Sequence, residues 1–168
     1  MSPAPNPSAT RDPDAVAEVP LEIREVSLDR LHLIERLNVA IFDEEHIINT
    51  FDRDGLLMLM AWSEDTAVGF KLGYETNDRT FYSAKGGVLG NYRRRGIARA
   101  LLYTMLNIVE ARGYERFVYD TFPNKHPGMT VLGLDEGFQV IRAGYSPRYQ
   151  DYRLRFELPL DGMSDGPA

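Results

Sequence analysis

Four arginine residues lie within seven positions of a chain whose net charge is −6, at Arg93, Arg94, Arg95 and Arg99. They stand at the predicted start of a helix, where unpaired backbone N–H groups already carry partial positive charge. Each arginine there costs about 0.3 to 1 kcal/mol unless an anion offsets it. Gly96 has no β-carbon that would keep phosphate oxygens away from those N–H groups. The cluster therefore predicts a site for a phosphate or a diphosphate.

Other interpretations of the arginine cluster stay open. The arginines could extend along a solvated helix face, with Gly96 only beginning the helix. They could also form a phosphate- or nucleic-acid-binding adaptor, whose affinity for nucleic acid would fall steeply with salt. No second basic cluster extends the patch, which argues against nucleic acid as a partner. The spacings G-x-x-x-x-G-K-[ST] and G-x-G-x-x-G are absent, which excludes the common nucleotide-binding loops.

Composition limits the classes of protein that remain. The chain has 168 residues, of which 43% are hydrophobic and none is cysteine. It can therefore form one core, and it offers neither a disulfide framework nor a thiolate nucleophile. No apolar run is long enough for a membrane span and no signal peptide is evident, so we expect a cytoplasmic protein without membrane contact. Residues 1–20 and 161–168 are expected to be a disordered leader and tail, which leaves one domain over residues 21–160.

The spacing of apolar residues predicts a mixed sheet with flanking helices. The predicted strands cover residues 21–26, 56–62, 67–75, 80–89, 114–122, 138–144 and 149–158, and the predicted helices cover residues 28–37, 43–50, 95–112 and 129–136. Short hairpins make the strands before residue 89 antiparallel. The helix that follows residue 95 is a right-handed crossover, so the strands on either side of it are expected to be parallel. Gly86 and Gly87 are expected to open the first of these two strands.

The segment that carries the arginines resembles the coenzyme A signature of the GNAT N-acetyltransferase superfamily. The core of that signature is R/Q-x-x-G-x-G/A, which is represented here by Arg93, Gly96 and Ala98 between a strand and an amphipathic helix. A weaker resemblance extends over residues 21–158, because the predicted elements follow the order of the family. It implies an α/β fold of the GNAT-like acyl-CoA N-acyltransferase type, with a mostly antiparallel sheet, a splayed parallel pair and flanking helices.

The resemblance also implies a cofactor and a reaction. Acetyl-CoA would be the cosubstrate, its pantetheine amides pairing with backbone and its diphosphate lying on the arginine loop. The implied cofactor-binding residues are Val88, Leu89, Gly90, Arg93, Arg94, Arg95, Gly96, Ile97, Ala98, Arg99 and Asn124. The acceptor would be a primary amine of a small molecule or a peptide, which attacks directly in a ternary complex. A Gly96→Glu change is expected to abolish cofactor binding and to leave the fold largely intact.

The catalytic residues are harder to assign. Transfer to an amine needs a base, because an alkylammonium group has a pKa of about 10. Many GNAT members carry a tyrosine acid and some a glutamate base, but the matching positions here are Gly133 and Ser83. The remaining candidates are Glu44, Glu45, Glu75, Tyr82 and Tyr145, from which we select Glu45, Glu75 and Tyr82 as catalytic residues. Each of them also fits a plainer role as a surface carboxylate or a core tyrosine.

The missing acid and base support an alternative function, a catalytically impaired acyl-CoA-binding module. The chain has three histidines, His32, His46 and His126. They lack the spacing of metal ligands, so no metal site is expected, although His126 lies near the expected cleft and is a candidate for proton transfer. The tyrosines of the closing strands, Tyr145, Tyr149 and Tyr152, favour pairing with a second copy in a homodimer.

Overall fold

A seven-stranded mixed sheet with helices on both faces forms the centre of the molecule. The computed structural model describes residues 11–77 and 79–161. The strands are β1 Glu22–Val26, β2 Leu57–Ser63, β3 Thr66–Asn77, β4 Thr80–Val88, β5 Arg116–Thr121, β6 Gln139–Ser146 and β7 Asp151–Pro159. The helices are α1 Pro13–Val16, α2 Leu31–Phe42, α3 Ile97–Ala111 and α4 Pro127–Asp135. The strand order is β1-β2-β3-β4-β5-β7-β6, and only β4 and β5 are parallel, which confirms the predicted architecture.

The two faces of the sheet carry different helices. On one face, α3 and α4 cover a core that includes Phe81, Phe117 and Phe156. On the other face, α2 covers a second cluster that includes Phe70 and Leu72. Side chains alternate between faces along a strand, so each strand residue can be assigned to one side. We call these the α3 face and the α2 face. Within the described ranges, no helix is long and apolar enough to cross a membrane.

Strand β4 parts from β5 halfway along its length. The parallel pairing runs only from Thr80 opposite Arg116 to Ser83 opposite Tyr119. A β-bulge at Ala84 shifts the register with β3 at the same point, and bulges bend the strand that carries them. The predicted opening of this strand is therefore present, although the bulge lies before the two glycines. We call the gap between residues 84–88 of β4 and the end of β5 the slot.

Residues 43–50, for which we predicted a weak helix, form an irregular segment instead. Asp43 ends α2 in the left-handed conformation, with φ 55°. The buried side chain of Asn38 then donates hydrogen bonds from Nδ2 to the carbonyl oxygens of Glu44 at 2.8 Å and His46 at 3.2 Å. These carbonyls bond to a side chain of α2, so they are not available for a helical pattern.

The prediction of a disordered leader is wrong for residues 11–20, which lie along α3. Arg11 is only 8% exposed, its guanidinium lies 3.7 Å from Glu110 Oε1, and its carbonyl accepts a hydrogen bond from Asn107 Nδ2 at 3.0 Å. Composition suggested disorder because the segment is polar, but here an ion pair, a hydrogen bond to backbone and the packing of Val19 on the core hold it in place. Residues 1–10 and nearly all of the expected tail, residues 162–168, lie outside the described residues.

Candidate functional site

The slot exposes backbone groups that have no strand partner. The N–H of Leu89 donates to the carbonyl of Val68 in β3 at 2.9 Å. Because successive residues of an antiparallel strand direct their backbone groups to opposite sides, Gly86 and Val88 point theirs away from β3 and into the slot. The Val88 carbonyl accepts a hydrogen bond there from Arg93 Nε at 3.3 Å. The N–H groups of Gly86 and Val88 are thus placed to bind an amide or an oxyanion.

The first turn of α3 forms a cradle of backbone donors next to the slot. Gly96 is the N-cap in the left-handed conformation, with φ 80°, and no side chain caps the helix. The N–H of Ala100 donates to the Gly96 carbonyl, so those of Ile97, Ala98 and Arg99 have no helical partner. A left-handed residue followed by a right-handed one turns successive N–H groups to the same side, as in known anion-binding nests.

Three exposed arginines precede this cradle. Arg93, Arg94 and Arg95 make no ion pair with any residue in the described part of the chain. Arg94 adopts the left-handed conformation, with φ 63°, which costs a non-glycine residue about 1 to 3 kcal/mol and often marks a functional site. The arginines and the free donors of α3 together make this part of the surface attractive to an anion.

Arg99 is turned away from its three neighbours. Its guanidinium forms an ion pair with Glu136 and lies 3.6 Å from Asp135 Oδ2, just beyond α4 and at its end. Tyr103 donates to the same Glu136 carboxylate at 2.9 Å. Because these carboxylates already neutralise Arg99, we leave its side chain out of the proposed diphosphate site, although the family resemblance implied it as a cofactor-binding residue.

The N-terminal segment supports the arginine loop from behind. The N–H of Glu18 donates to the carbonyl of Arg95 at 2.8 Å. The carbonyl of Val16 occupies the position that a β-carbon on Gly96 would need. Gly96 is therefore required for both its conformation and its lack of a side chain. We therefore now expect Gly96→Glu to destabilise the loop as well as to block the cofactor, which revises the expectation that the fold would stay largely intact.

A buried lysine lies beside the slot on the α3 face. Phe70 and Leu72 belong to the cluster under α2, so Lys71 between them points to the opposite face. It is 6% exposed, and its Cγ lies 3.2 Å from the position that a β-carbon on Gly86 would take. Its ammonium group makes no hydrogen bond or ion pair with a described residue. Burial lowers the pKa of Lys71 to about 8.

On the α2 face, the slot opens between the end of α2 and the start of α4. Lys85 Nζ donates to the His46 carbonyl at 2.7 Å and lies 3.2 Å from Glu44 Oε2. The same ammonium group lies 4.6 Å from the centre of the Phe42 ring. The His126 ring packs edge-on against Phe42 at 6.4 Å. We call this opening, lined by Phe42, Lys85 and His126, the mouth of the slot.

His126 is held in the neutral form more strongly than a free histidine. His126 is exposed as a residue, but partial desolvation of its ring is the largest cause that lowers its pKa, and the positive charges of Lys125 and Arg93 add to the effect. Glu44 acts in the opposite direction, and Lys85 lowers the pKa further. A neutral imidazole can accept a proton, so His126 is suited to act as a base at the mouth.

Two of the selected catalytic residues lie away from the slot and on opposite faces of the sheet. Glu75 accepts a hydrogen bond from the Tyr114 hydroxyl at 2.7 Å, within the α3-face core. Tyr82 lies on the α2 face and donates to Asp120 at 3.1 Å. Burial and the Asp120 charge raise the pKa of Tyr82. Both residues flank the part of β4 that still pairs with β5, so we remove them from the proposed catalytic set.

Glu45 and Asn124, which we also selected from the sequence, lie closer to the slot. Glu45 is exposed in the irregular segment beside the mouth. Asn124 is also exposed, and its Nδ2 donates to Asp151 Oδ1 at 3.0 Å. At Gly133, a β-carbon would overlap the hydroxyl of Tyr119, which donates to the Met129 carbonyl at 2.8 Å. Tyr119 thus fills the space that a side chain at position 133 would occupy.

Sequence comparison assigns most of the folded region to one family. Residues 23–129 match the profile of the Acetyltransferase (GNAT) family. This region contains the slot, the arginine loop, α3 and the mouth. No match was found among curated protein sequences.

Solved structures share the fold. The ribosomal-protein-S18-alanine N-acetyltransferase from Escherichia coli matches with a TM-score of 0.73 over 88% of this chain and 99% of its own, at 14% identity. The IAA acetyltransferase from Bacillus cereus matches with a TM-score of 0.72 over 83% of this chain and 99% of its own, at 16% identity. Arabidopsis thaliana NAA60 in complex with acetyl-CoA matches with a TM-score of 0.65 over the same shares, at 16% identity. At such identities the likeness concerns the fold alone.

The contact between Gly96 and Val16 can be tested by adding one methyl group. We expect Gly96→Ala to lower the free energy of unfolding by about 1 to 3 kcal/mol or more, because it adds left-handed strain to a steric overlap. Gly90→Ala is the matched control, since a β-carbon there meets open space, and it should change stability by less than about 0.5 kcal/mol. Urea denaturation followed by circular dichroism measures both. Equal stability of the two variants would contradict this account of the loop.

The buried charge of Lys71 predicts how stability depends on pH. The pKa falls from 10.5 to about 8 on folding, so the unfolded chain binds more protons between these values and stability rises with pH across that window. Lys71→Met should therefore raise the free energy of unfolding by roughly 3 kcal/mol at pH 7. This gain should shrink above pH 8 and vanish near pH 10.5. Lys125→Met, at an exposed position, is the control, and the same pH trend in both variants would refute the prediction.

Proposed function

Because this chain belongs to the GNAT acetyltransferase family, we propose that it transfers the acetyl group of acetyl-CoA to a primary amine of a small molecule or a peptide. The observation that carries the proposal is the position of the slot beside the uncapped start of α3. Open backbone groups of β4 and a cradle preceded by three arginines that have no ion-pair partner in the described part of the chain lie next to each other there. A thioester on a long arm with a diphosphate at its far end suits both parts of the site.

In the proposed complex, the diphosphate lies on the first turn of α3. The N–H groups of Ile97 and Ala98 donate to its oxygens, and guanidinium groups from residues 93–95 surround it. The pantetheine arm extends into the slot, where its amides pair with the outward backbone groups of β4. Arg93 occupies the Val88 carbonyl, so its side chain must move to the diphosphate when the arm binds. Asn124 lies across the slot from the arm.

The acceptor amine approaches from the mouth on the α2 face. It must lose a proton before it attacks the thioester carbonyl, and His126 accepts that proton directly or through one water. The new C–N bond forms as negative charge develops on the carbonyl oxygen, which the Gly86 N–H stabilises. The C–S bond then breaks and its electron pair leaves with the sulfur. The products are the N-acetylated amine and coenzyme A.

One observation favours the alternative of a catalytically impaired acyl-CoA-binding module. Tyr119 fills the space next to Gly133, and its hydroxyl is engaged with the Met129 carbonyl. Burial raises the pKa of Tyr119, so this tyrosine is a poor replacement for the acid that many family members carry at the matching position. A module of this kind would bind acetyl-CoA and would not release free thiol with any amine.

Binding and turnover separate these functions. We expect titration calorimetry to detect acetyl-CoA binding, and Arg94→Ala/Arg95→Ala to weaken it on the order of 100-fold, because each charge-assisted hydrogen bond contributes about 1.5 to 3 kcal/mol. The control is Arg30→Ala/Arg36→Ala, which removes two positive charges just before and within α2. It should leave the affinity for acetyl-CoA unchanged. A panel of amines assayed for free thiol then tests transfer. Binding without thiol release supports the binding module, and no binding at all refutes both functions.

The base at the mouth is tested by the pH dependence of the reaction. We expect kcat/KM to fall as the pH drops through the pKa of His126, which lies below the ordinary value of 6.5, because the protonated imidazole cannot accept a proton. His126→Gln should lower kcat/KM by about 100-fold or more and remove this acidic limb. His32→Gln, exposed in the first turn of α2, is the matched control. An acidic limb that persists in His126→Gln would show that another group is the base.

A further inference from the structure

We propose that Lys71 contacts the sulfur of coenzyme A in the slot and stabilises it as the leaving thiolate. This inference rests on the acetyltransferase function proposed above. Many family members carry an acid that assists the leaving group at the position of Gly133. Here Lys71, on strand β3, would assist the leaving group instead. Lys71 would be a catalytic residue, since it touches a reacting atom.

Lys71 is a largely buried lysine without a partner for its charge in the described part of the chain. Lys71 is 6% exposed, and its neighbours across the adjacent strands are Leu59 and Gly86, neither of which carries a charge. Among the residues that the structure describes, none accepts a hydrogen bond from its ammonium group. The stem of Lys71 is buried, while its ammonium nitrogen keeps some contact with solvent. A largely buried lysine without a protein partner is uncommon, because charges taken out of water are normally paired. The site is therefore suited to an anion that arrives with a ligand.

The side chain of Lys71 lies next to the backbone that lines the slot. Gly86 directs its N–H into the slot, and the side chain of Lys71 lies against its α-carbon on the α3 face. Neighbouring strands are about 4.8 Å apart, so a lysine that leans over Gly86 from β3 reaches the edge of β4 that faces the slot. A β-carbon at position 86 would crowd this path, since it would lie 3.2 Å from Lys71 Cγ.

In the proposed complex, the cofactor arm enters the slot from the face of the sheet that carries Lys71. Helix α3 begins at the diphosphate cradle and packs on the same face of the sheet as Lys71. An arm that extends from this cradle into the slot therefore brings its sulfur to the Lys71 side. The mouth with His126 lies on the α2 face, where the acceptor amine would enter. The leaving group and the attacking group thus meet different side chains.

The chemistry of the step balances without a further reactant. When the acceptor nitrogen bonds to the carbonyl carbon, the C–S bond breaks and both electrons stay on sulfur. The ammonium of Lys71 stabilises the thiolate by its charge or transfers one proton to it, and solvent then restores that proton. The proton lost by the acceptor amine leaves through His126 at the mouth. Burial brings the pKa of Lys71 to about 8, close to the value of about 8.5 for a free thiol, so transfer in either direction is easy.

The test compares the binding of coenzyme A with that of desulfo-coenzyme A, which lacks the sulfur. Neither measurement involves an acceptor amine, so the acceptor need not be known. Binding of each to the full chain is measured by titration calorimetry, and the pKa of the bound thiol is read from the ultraviolet absorbance of the thiolate. In the wild type we expect that pKa at least about one unit below its value in Lys71→Met. We also expect coenzyme A to bind more tightly than desulfo-coenzyme A in the wild type alone. The affinity for desulfo-coenzyme A should be the same in both proteins.

Lys85→Met is the matched control. It removes the same charge from the neighbouring strand, on the α2 face, where Lys85 is paired with Glu44, and it should leave the thiol pKa unchanged. An unaltered thiol pKa in Lys71→Met, with binding intact, would overturn the role of Lys71 and leave the proposed function in place. If the wild type binds neither compound, the proposed function fails together with this inference. Equal shifts in both lysine variants would show a general charge effect and would also overturn it.

Discussion

The separation of β4 from β5 is the constraint on which the rest of the site depends. A parallel pair that stayed in register would satisfy the backbone of residues 84–88 and leave nothing to bind a ligand. The bulge at Ala84 interrupts that pairing. The two glycines then allow close packing on both faces, with Lys71 against Gly86 and the end of α2 against Gly87. The strand is thus supported from both faces while one edge stays open, which is how a site can be rigid and still present free donors.

The N-terminal segment extends this support to the arginine loop. It follows α3 from the ion pair between Arg11 and Glu110 to the hydrogen bond between Glu18 and Arg95. A loop with left-handed residues at positions 94 and 96 and a cluster of like charges is unfavourable in isolation. Backbone contacts from outside the loop can hold such a conformation before any anion binds. Preorganisation of this kind reduces the ordering that binding must otherwise drive.

Sequence reasoning identified the arginine loop because its signals are contiguous. Arg93, Gly96 and Ala98 lie within six consecutive residues, and the apolar residues of the helix that follows recur at clear helical spacing. The parallel pairing of β4 and β5 also followed from a general rule of chain connection. By contrast, the irregular segment after α2 depends on Asn38, whose side chain bonds to residues that follow it by several positions. No local propensity reveals such competition.

The choice of Glu75 and Tyr82 shows where sequence reasoning stops. The bulge at Ala84 decides which face of the sheet each later side chain of β4 occupies. The sequence pointed only to an opening at the two glycines. The sequence also carries a signal for Lys71, because it is the single charge within the apolar run from Ala67 to Leu72, although a lysine is neither of the usual acid and base residues of the family. An isolated charge in a strand that is buried on both faces points to a partner elsewhere, and that partner can be a ligand.

The distribution of charge across the sheet gives the two sides of the slot different chemistry. On the α3 face, Lys71 provides a fixed positive charge without a carboxylate partner. On the α2 face, the charge of Lys85 is offset by Glu44, and partial desolvation and nearby cations lower the pKa of His126, which favours its neutral form. Acyl transfer to an amine produces negative charge on the departing sulfur and a proton on the attacking nitrogen. The cation on the α3 face can stabilise the negative charge on the sulfur, and the neutral base on the α2 face can accept the proton. Neither side chain has to cross the slot to do so.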